Sequence, residues 1–210
     1  MENVSKVIEL LKKNYPNAKY YLNFSNPLEL LVAAILSAQI KDEVVNATTP
    51  QIFKKYKTVK DYANADLKEF TKEISAVTFA GMKAKNIINA CKILLEKYNG
   101  KVPETMEELI ALPGIGRKTA NTILINAFDK VLGIPVDVWV QRLSIRLGWT
   151  KNKDPNKIEQ NLMETIPKKD WSKIAYLLKS HGRAICQVIP YCSKCFLYDL
   201  CPRNGVAKRY

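Results

Sequence analysis

Apolar residues recur at helical spacing along most of the chain, and strict alternation is rare. Val4, Val7, Ile8, Leu11 and Tyr15 share one face, and Pro16 closes that run. Asn26-Pro27-Leu28-Glu29 has the form of a helix start, with a capping residue, a proline at the first helical position and an acid in the first turn. It predicts a nearly all-apolar helix over Leu28–Gln39. Further helices are predicted over 42–56, 66–76, 82–98 and 105–111, the last opened by Thr105 and Glu108 in capping-box spacing. Arg117–Phe128, Asp137–Leu147, a helix from Asp154-Pro155 through Ile166, and Trp171–His181 complete the set. The connections are short and no fixed-period repeat is present, so the pattern predicts a compact all-α protein.

Composition narrows the class. The chain has 210 residues, 47% hydrophobic and 25% charged, which is enough to bury a core without disulfides and excludes a mainly disordered chain. The longest apolar run, Leu30–Leu36, falls far short of the roughly 20 residues that cross a bilayer. No basic segment leading into an apolar one stands at the N-terminus, so the expected place is the cytoplasm. Thirty-three Lys and Arg against twenty Asp and Glu leave +13. That excess points to a polyanionic partner, with nucleic acid ahead of a membrane surface; a solvated lysine-rich face is the bland alternative.

Cysteine usage adds chemistry. Cys91 lies in the apolar stretch 87–95 and reads as a core thiol. Cys186, Cys192, Cys195 and Cys201 are spaced C-x5-C-x2-C-x5-C, which suits Zn²⁺ or an iron–sulfur cluster. A zinc ribbon brings two close pairs, whereas only Cys192 and Cys195 are close here. One loop around a larger object favours [4Fe–4S], with zinc and free thiols as alternatives. Lys194, Arg203, Lys208 and Arg209 would offset thiolate charge. His181, the sole histidine, is expected as a hydrogen-bonded residue near a helix end rather than a ligand.

The stretch Leu112-Pro113-Gly114-Ile115-Gly116-Arg117-Lys118-Thr119-Ala120 reads as a hairpin between two helices. Gly114 and Gly116 would let the backbone turn sharply and come close to a partner. The next helix begins there, so its N–H groups and positive end suit a phosphate, with Arg117 and Lys118 adding charge. An ordinary helix–helix turn is the plainer alternative, and a P-loop is excluded because its pattern is not matched. Lys118, next to Arg117 and at a helix start, has its ammonium form disfavoured; such an amine can form a Schiff base with a sugar carbon. Its plainer role is a phosphate contact. Asp137, a lone carboxylate in an apolar helix entry, is a candidate partner and equally a helix N-cap; the two roles are compatible.

These residues, with Leu36-Ser37-Ala38-Gln39 and Asp42, Lys83-Ala84-Lys85-Asn86-Ile87, Val102-Pro103, Val136-Asp137, Arg142-Leu143 and His181-Gly182-Arg183, resemble the endonuclease III family of DNA glycosylases, within the helix-hairpin-helix–Gly/Pro–Asp superfamily. The resemblance covers nearly the whole chain. It implies an all-α, two-domain fold with a DNA cleft between a six-helix domain at 22–130 and a [4Fe–4S] domain formed by 1–21 plus 131–210. The implied enzyme is a monomer that removes damaged pyrimidines from double-stranded DNA and nicks abasic sites by β-elimination. Lys118 would attack the deoxyribose C1′, assisted by Asp137. Base flipping is required; Gln39 matches the residue that fills the vacated space, and Phe79 aligns with the wedge, a core aromatic being its alternative.

Three departures bear on this. Val138-Trp139 stand where the family has Thr-His, the Lys118-to-Asp137 interval is one residue longer, and the first cysteine interval is one shorter. Trp139 motivates an alternative substrate, thymine or uracil opposite guanine. From another class, the chain could be a non-catalytic DNA-binding module with a zinc-stabilised tail.

Overall fold

The computed structural model describes residues 2–210, and every regular element among them is helical. In chain order these are α1 (Glu2–Asn14), α2 (Pro27–Leu36), α3 (Asp42–Lys55), α4 (Val59–Ala63), α5 (Leu67–Glu73), α6 (Ala80–Tyr98), α7 (Met106–Ile110), α8 (Arg117–Phe128), α9 (Val138–Arg146), α10 (Pro155–Thr165) and α11 (Trp171–Ala184). Short 3-10 turns occupy Lys168–Asp170, Cys192–Lys194 and Tyr198–Leu200. The chain divides into two compact units, one of Tyr21–Lys130 and one joining the stretch up to Tyr20 to Val131–Tyr210.

The Tyr21–Lys130 unit is built around α2, whose residues Leu30–Leu36 are all buried. A helix apolar on every side must be enclosed, and here α3, α6 and α8 pack on it, with α4 and α5 against α6. Tyr56, Tyr62 and Phe70 form an aromatic cluster with ring centroids 5.1–5.9 Å apart. Cys91 is a core thiol, fully buried on α6, and burial pushes its pKa up to about 12.

Two expectations needed correction in this unit. The helix predicted over Leu28–Gln39 stops at Leu36, and Gln39 has a left-handed φ of 55°. The apolar run did not reveal that a buried lysine takes the carbonyls at its end. Helix α4 was not predicted at all. Its five residues are too few to show a period, yet a reciprocal cap builds it: Thr58 Oγ1 accepts from Asp61 N, and the Asp61 carboxylate accepts from Thr58 N.

In the other unit α11 packs against α9 and α1, and α10 against α9. Leu11, Val140, Leu143, Ile158, Leu162, Ile174 and Leu178 form the centre of its core. His181 lies in the last turn of α11, which runs three residues past the predicted end. It is 2% exposed, Tyr15 Oη lies 3.0 Å from its Nδ1, and burial lowers its pKa to about 4.

Candidate functional site

The 112–120 hairpin links α7 to α8, and its two glycines do different work. Gly114 has φ +84°, and a Cβ there would lie 3.1 Å from Asn86 Nδ2 and 3.3 Å from Ile35 Cγ2. The turn is therefore seated on α6 and α2, and only glycine fits. Gly116 is extended, with φ −99° and ψ 174°, and a Cβ there would meet nothing within 4 Å. The expectation that both glycines serve the turn is corrected: Gly114 shapes the backbone, and Gly116 leaves space above it. Gly116 is also the N-cap of α8 and supplies no side-chain bond to the first turn. Arg117 and Lys118 follow on that turn, both exposed. Thr122 Oγ1 donates to the Lys118 carbonyl at 2.9 Å.

Asp137 opens α9 in the opposite manner. Its Oδ1 accepts from Trp139 N and Val140 N, each at 2.9 Å, and its Oδ2 takes no part in the cap. Trp139 lies across Gly182, where a Cβ would come within 2.4 Å of its ring, and the Arg142 guanidinium sits 5.0 Å from the ring centroid. Lys118 belongs to the Tyr21–Lys130 unit and Asp137 to the other.

Gln39 and Phe79 are brought together. Both are exposed, and both hold left-handed backbones, with φ of 55° and 56°. Phe79 is 59% exposed, so the core-aromatic alternative is overturned. Thr78 Oγ1 donates to the Gln39 carbonyl at 3.1 Å. Beneath them, Lys83 is 1% exposed and its Nζ donates to the carbonyls of Leu36 and Ala38, each at 2.7 Å. The sequence flagged Lys83 only within a motif. Its environment was invisible there because every partner is backbone or Thr78.

The four cysteines line one pocket with largely apolar walls that include Leu143, Leu147, Ile185, Pro190 and Leu197. None is in a disulfide. Among the described residues no three Cys, His, Asp or Glu side chains converge as a single-ion site requires. Four cysteines lining one apolar space are a donor set that suits Zn²⁺ or an iron–sulfur cluster. Burial above all, then the neighbouring thiols, push Cys195 up to about 11.

A cation that reaches a cysteine sulfur by a hydrogen bond, Arg146, is one the sequence did not single out. Arg146, buried at the end of α9, donates to Cys186 Sγ at 3.2 Å and to the carbonyls of Cys186, Gln187 and Val188 at 3.2, 2.6 and 2.8 Å. Arg203, by contrast, lies over the Tyr198 ring and donates to its carbonyl.

Comparison with known proteins gives a consistent picture. Residues 32–168 match the pattern described as HhH-GPD superfamily base excision DNA repair protein. The chain is 45% identical over 202 residues to endonuclease III of Synechocystis sp., covering 96% of this chain and 92% of that protein. It is 39% identical to endonuclease III of Bacillus subtilis, covering 100% and 99%, and 36% identical to that of Escherichia coli, covering 93% of each. Among solved structures, a trapped endonuclease III–DNA covalent intermediate with an estranged adenine superposes with a TM-score of 0.92 at 39% identity, over 96% of this chain and 95% of that one. A thermostable thymine-DNA glycosylase shares the fold, with a TM-score of 0.86 at 20% identity over 96% of each.

Proposed function

The chain belongs to the HhH-GPD superfamily of base excision DNA repair proteins, and from that premise we propose how its own residues carry out the repair reaction. It is a DNA glycosylase with abasic-site lyase activity, acting on damaged bases in DNA. The finer reading is that its substrates are oxidised or otherwise damaged pyrimidines in duplex DNA.

The hairpin carries this reading. Gly114 fixes the turn, Gly116 leaves room for a phosphodiester to approach, and Lys118 stands exposed on the first turn of the helix that follows. Arg117 adds charge without reading sequence. Gln39 and Phe79 would enter the stack when the damaged nucleotide leaves it, the ring unstacking the step and the amide facing the widowed base.

In the chemical step the Lys118 amine attacks C1′, the C1′–N bond breaks, and the base departs with that electron pair, taking up a proton. Asp137, through the carboxylate oxygen not used for capping, would stabilise positive charge on the sugar and assist proton transfer. Ring opening yields a Schiff base at C1′. Loss of a C2′ proton then expels the 3′ phosphate, which cuts the strand.

Cys186, Cys192, Cys195 and Cys201 would hold a [4Fe–4S] cluster, which would supply a structural link across residues 186–201 and would take no part in the step above. Iron and acid-labile sulfide in anaerobically purified protein, without zinc, is the expected composition. Zinc instead would restore the alternative tail.

Borohydride trapping across a lesion panel tests the reading. Thymine glycol DNA should give a covalent complex that Lys118→Ala abolishes; trapping that survives the substitution places the nucleophile elsewhere. The thymine-opposite-guanine alternative rested on Trp139, whose ring is engaged by Gly182 and Arg142. Excision of T opposite G faster than of thymine glycol would reinstate it.

A further inference from the structure

Lys83 is a buried cation with no carboxylate beside it. Its Nζ donates to Leu36 O and Ala38 O at 2.7 Å and lies 3.4 Å from Thr78 Oγ1. Burying a charge on neutral partners alone is costly, and burial does lower the pKa of this amine. A methionine would fill similar volume without that cost. The ammonium must therefore contribute something that packing cannot.

What it touches is specific. Leu36 O and Ala38 O lie on the backbone leading into Gln39, so the ammonium ends α2 and clamps the turn beyond it. Toward Phe79 the ammonium acts through the neighbouring Thr78, whose Oγ1 lies 3.4 Å from Nζ; the bond from the main-chain N–H of residue 83 to Phe79 O is one any residue but proline would make there. Thr78 Oγ1 closes the arrangement by donating to Gln39 O. Gln39 and Phe79 both occupy left-handed backbone conformations that their side chains disfavour, and such positions persist only where the surroundings over-determine them.

We propose that Lys83 is a positioning residue for base extrusion: it locks the backbones of Gln39 and Phe79 together, so that amide and ring enter the DNA stack as one body. This rests on the reading of those two residues as the groups that insert into DNA. Lys83, only 1% exposed, is too buried to reach DNA or the sugar itself.

The test compares two duplexes under single-turnover conditions. One carries thymine glycol opposite adenine. In the other the same lesion faces an abasic site, so there is no pair to break and no widowed base for Gln39 to meet. Lys83→Met should slow excision about tenfold or more on the paired lesion, the scale of losing hydrogen bonds from a charged group, and under about twofold on the unpaired one. A 2-aminopurine beside the lesion should show the matching loss of extrusion rate.

Equal losses on both duplexes, or no loss on either, overturn the proposal. Thr78→Val, at an exposed position that tolerates the change, provides a second arm should Lys83→Met fold poorly. It should show a smaller loss confined to the paired lesion, and an equal loss on both or none overturns the proposal equally. Gln39→Ala and Phe79→Ala separate the two failures. If they leave paired excision intact, the inserting roles themselves are wrong; if they slow it and neither Lys83→Met nor Thr78→Val does, only the positioning role falls.

Discussion

Helices α8 and α9, which carry Lys118 and follow Asp137, begin in opposite ways. Helix α9 is closed by its own preceding carboxylate, which satisfies two N–H groups of the first turn. Helix α8 begins at a glycine that offers no side chain. The contrast extends through the Tyr21–Lys130 unit. There α2, α4, α5 and α7 are capped by Asn26, Thr58, Asp66 and Thr105, while α3, α6 and α8 start at Lys41, Phe79 and Gly116 without a side-chain cap bond. The uncapped starts adjoin the residues read as DNA contacts. Within this unit the starts left without a side-chain cap keep their positive ends accessible, as an approaching phosphate would require; in the other unit α11 also starts without such a bond, at Asp170.

The contrast can be broken at four positions, from the largest expected effect to the smallest. Lys118→Ala should abolish borohydride trapping while leaving stability within about 0.5 kcal/mol, since the side chain is exposed; urea melts alongside the trapping assay check both halves. Asp137→Asn retains a good cap and should keep stability while slowing base release by about 10²-fold or more. Asp137→Ala should add a loss of about 1 kcal/mol. If Asn costs as much stability as Ala, the cap is not what Asp137 contributes to the fold.

Next, Gly114→Ala should destabilise by about 1–3 kcal/mol, from backbone strain and the contacts on Asn86 and Ile35. Gly116→Ala should melt like the parent yet bind DNA more weakly, measured by fluorescence anisotropy; parental affinity would sink the role assigned to Gly116. The smallest effect on the fold belongs to Gly116→Ser, which installs a cap on α8. Stability should rise by a few tenths of a kcal/mol while affinity falls. DNA binding by the parent should itself weaken steeply with salt.

A pH measurement sharpens the description of the same unit's core. The Cys91 thiol keeps its proton to about 12 when folded, against 9.0 for the free group. A raised acid stabilises the fold fully below the lower value and loses that contribution as pH climbs between the two. Between pH 9 and 12 the parent should therefore lose stability relative to Cys91→Ala, at about 1.4 kcal/mol per pH unit.

Much of this was legible in the chain. Asn26-Pro27, Thr105 to Glu108 and Asp154-Pro155 announce their helices because a cap is a local event, written in adjacent residues. The hairpin is legible for the same reason. What the sequence concealed depends on distant pairing. Lys83 looks like any surface lysine on an amphipathic helix until its acceptors, more than forty positions earlier, are known. Arg146 sits in an ordinary helix end, and its carbonyl acceptors at 186–188 carry no side-chain signature. Gln39 falls within a run of good helix formers, so only the observed backbone reveals the break. Asn99 and Asp129, which end α6 and α8 in the same left-handed conformation, are residue types that tolerate it; Gln39, Phe79 and Arg203 are not, and Gln39 and Phe79 are further joined through Thr78.

Helix α9 begins beside Asp137 and ends at Arg146, whose guanidinium is fastened to the backbone around Cys186. At 1.5 Å per residue it is a strut about 13 Å long. Removing the guanidinium, as in Arg146→Met, would loosen the far anchor of that strut, so hydrogen exchange should quicken along α9 toward the carboxylate.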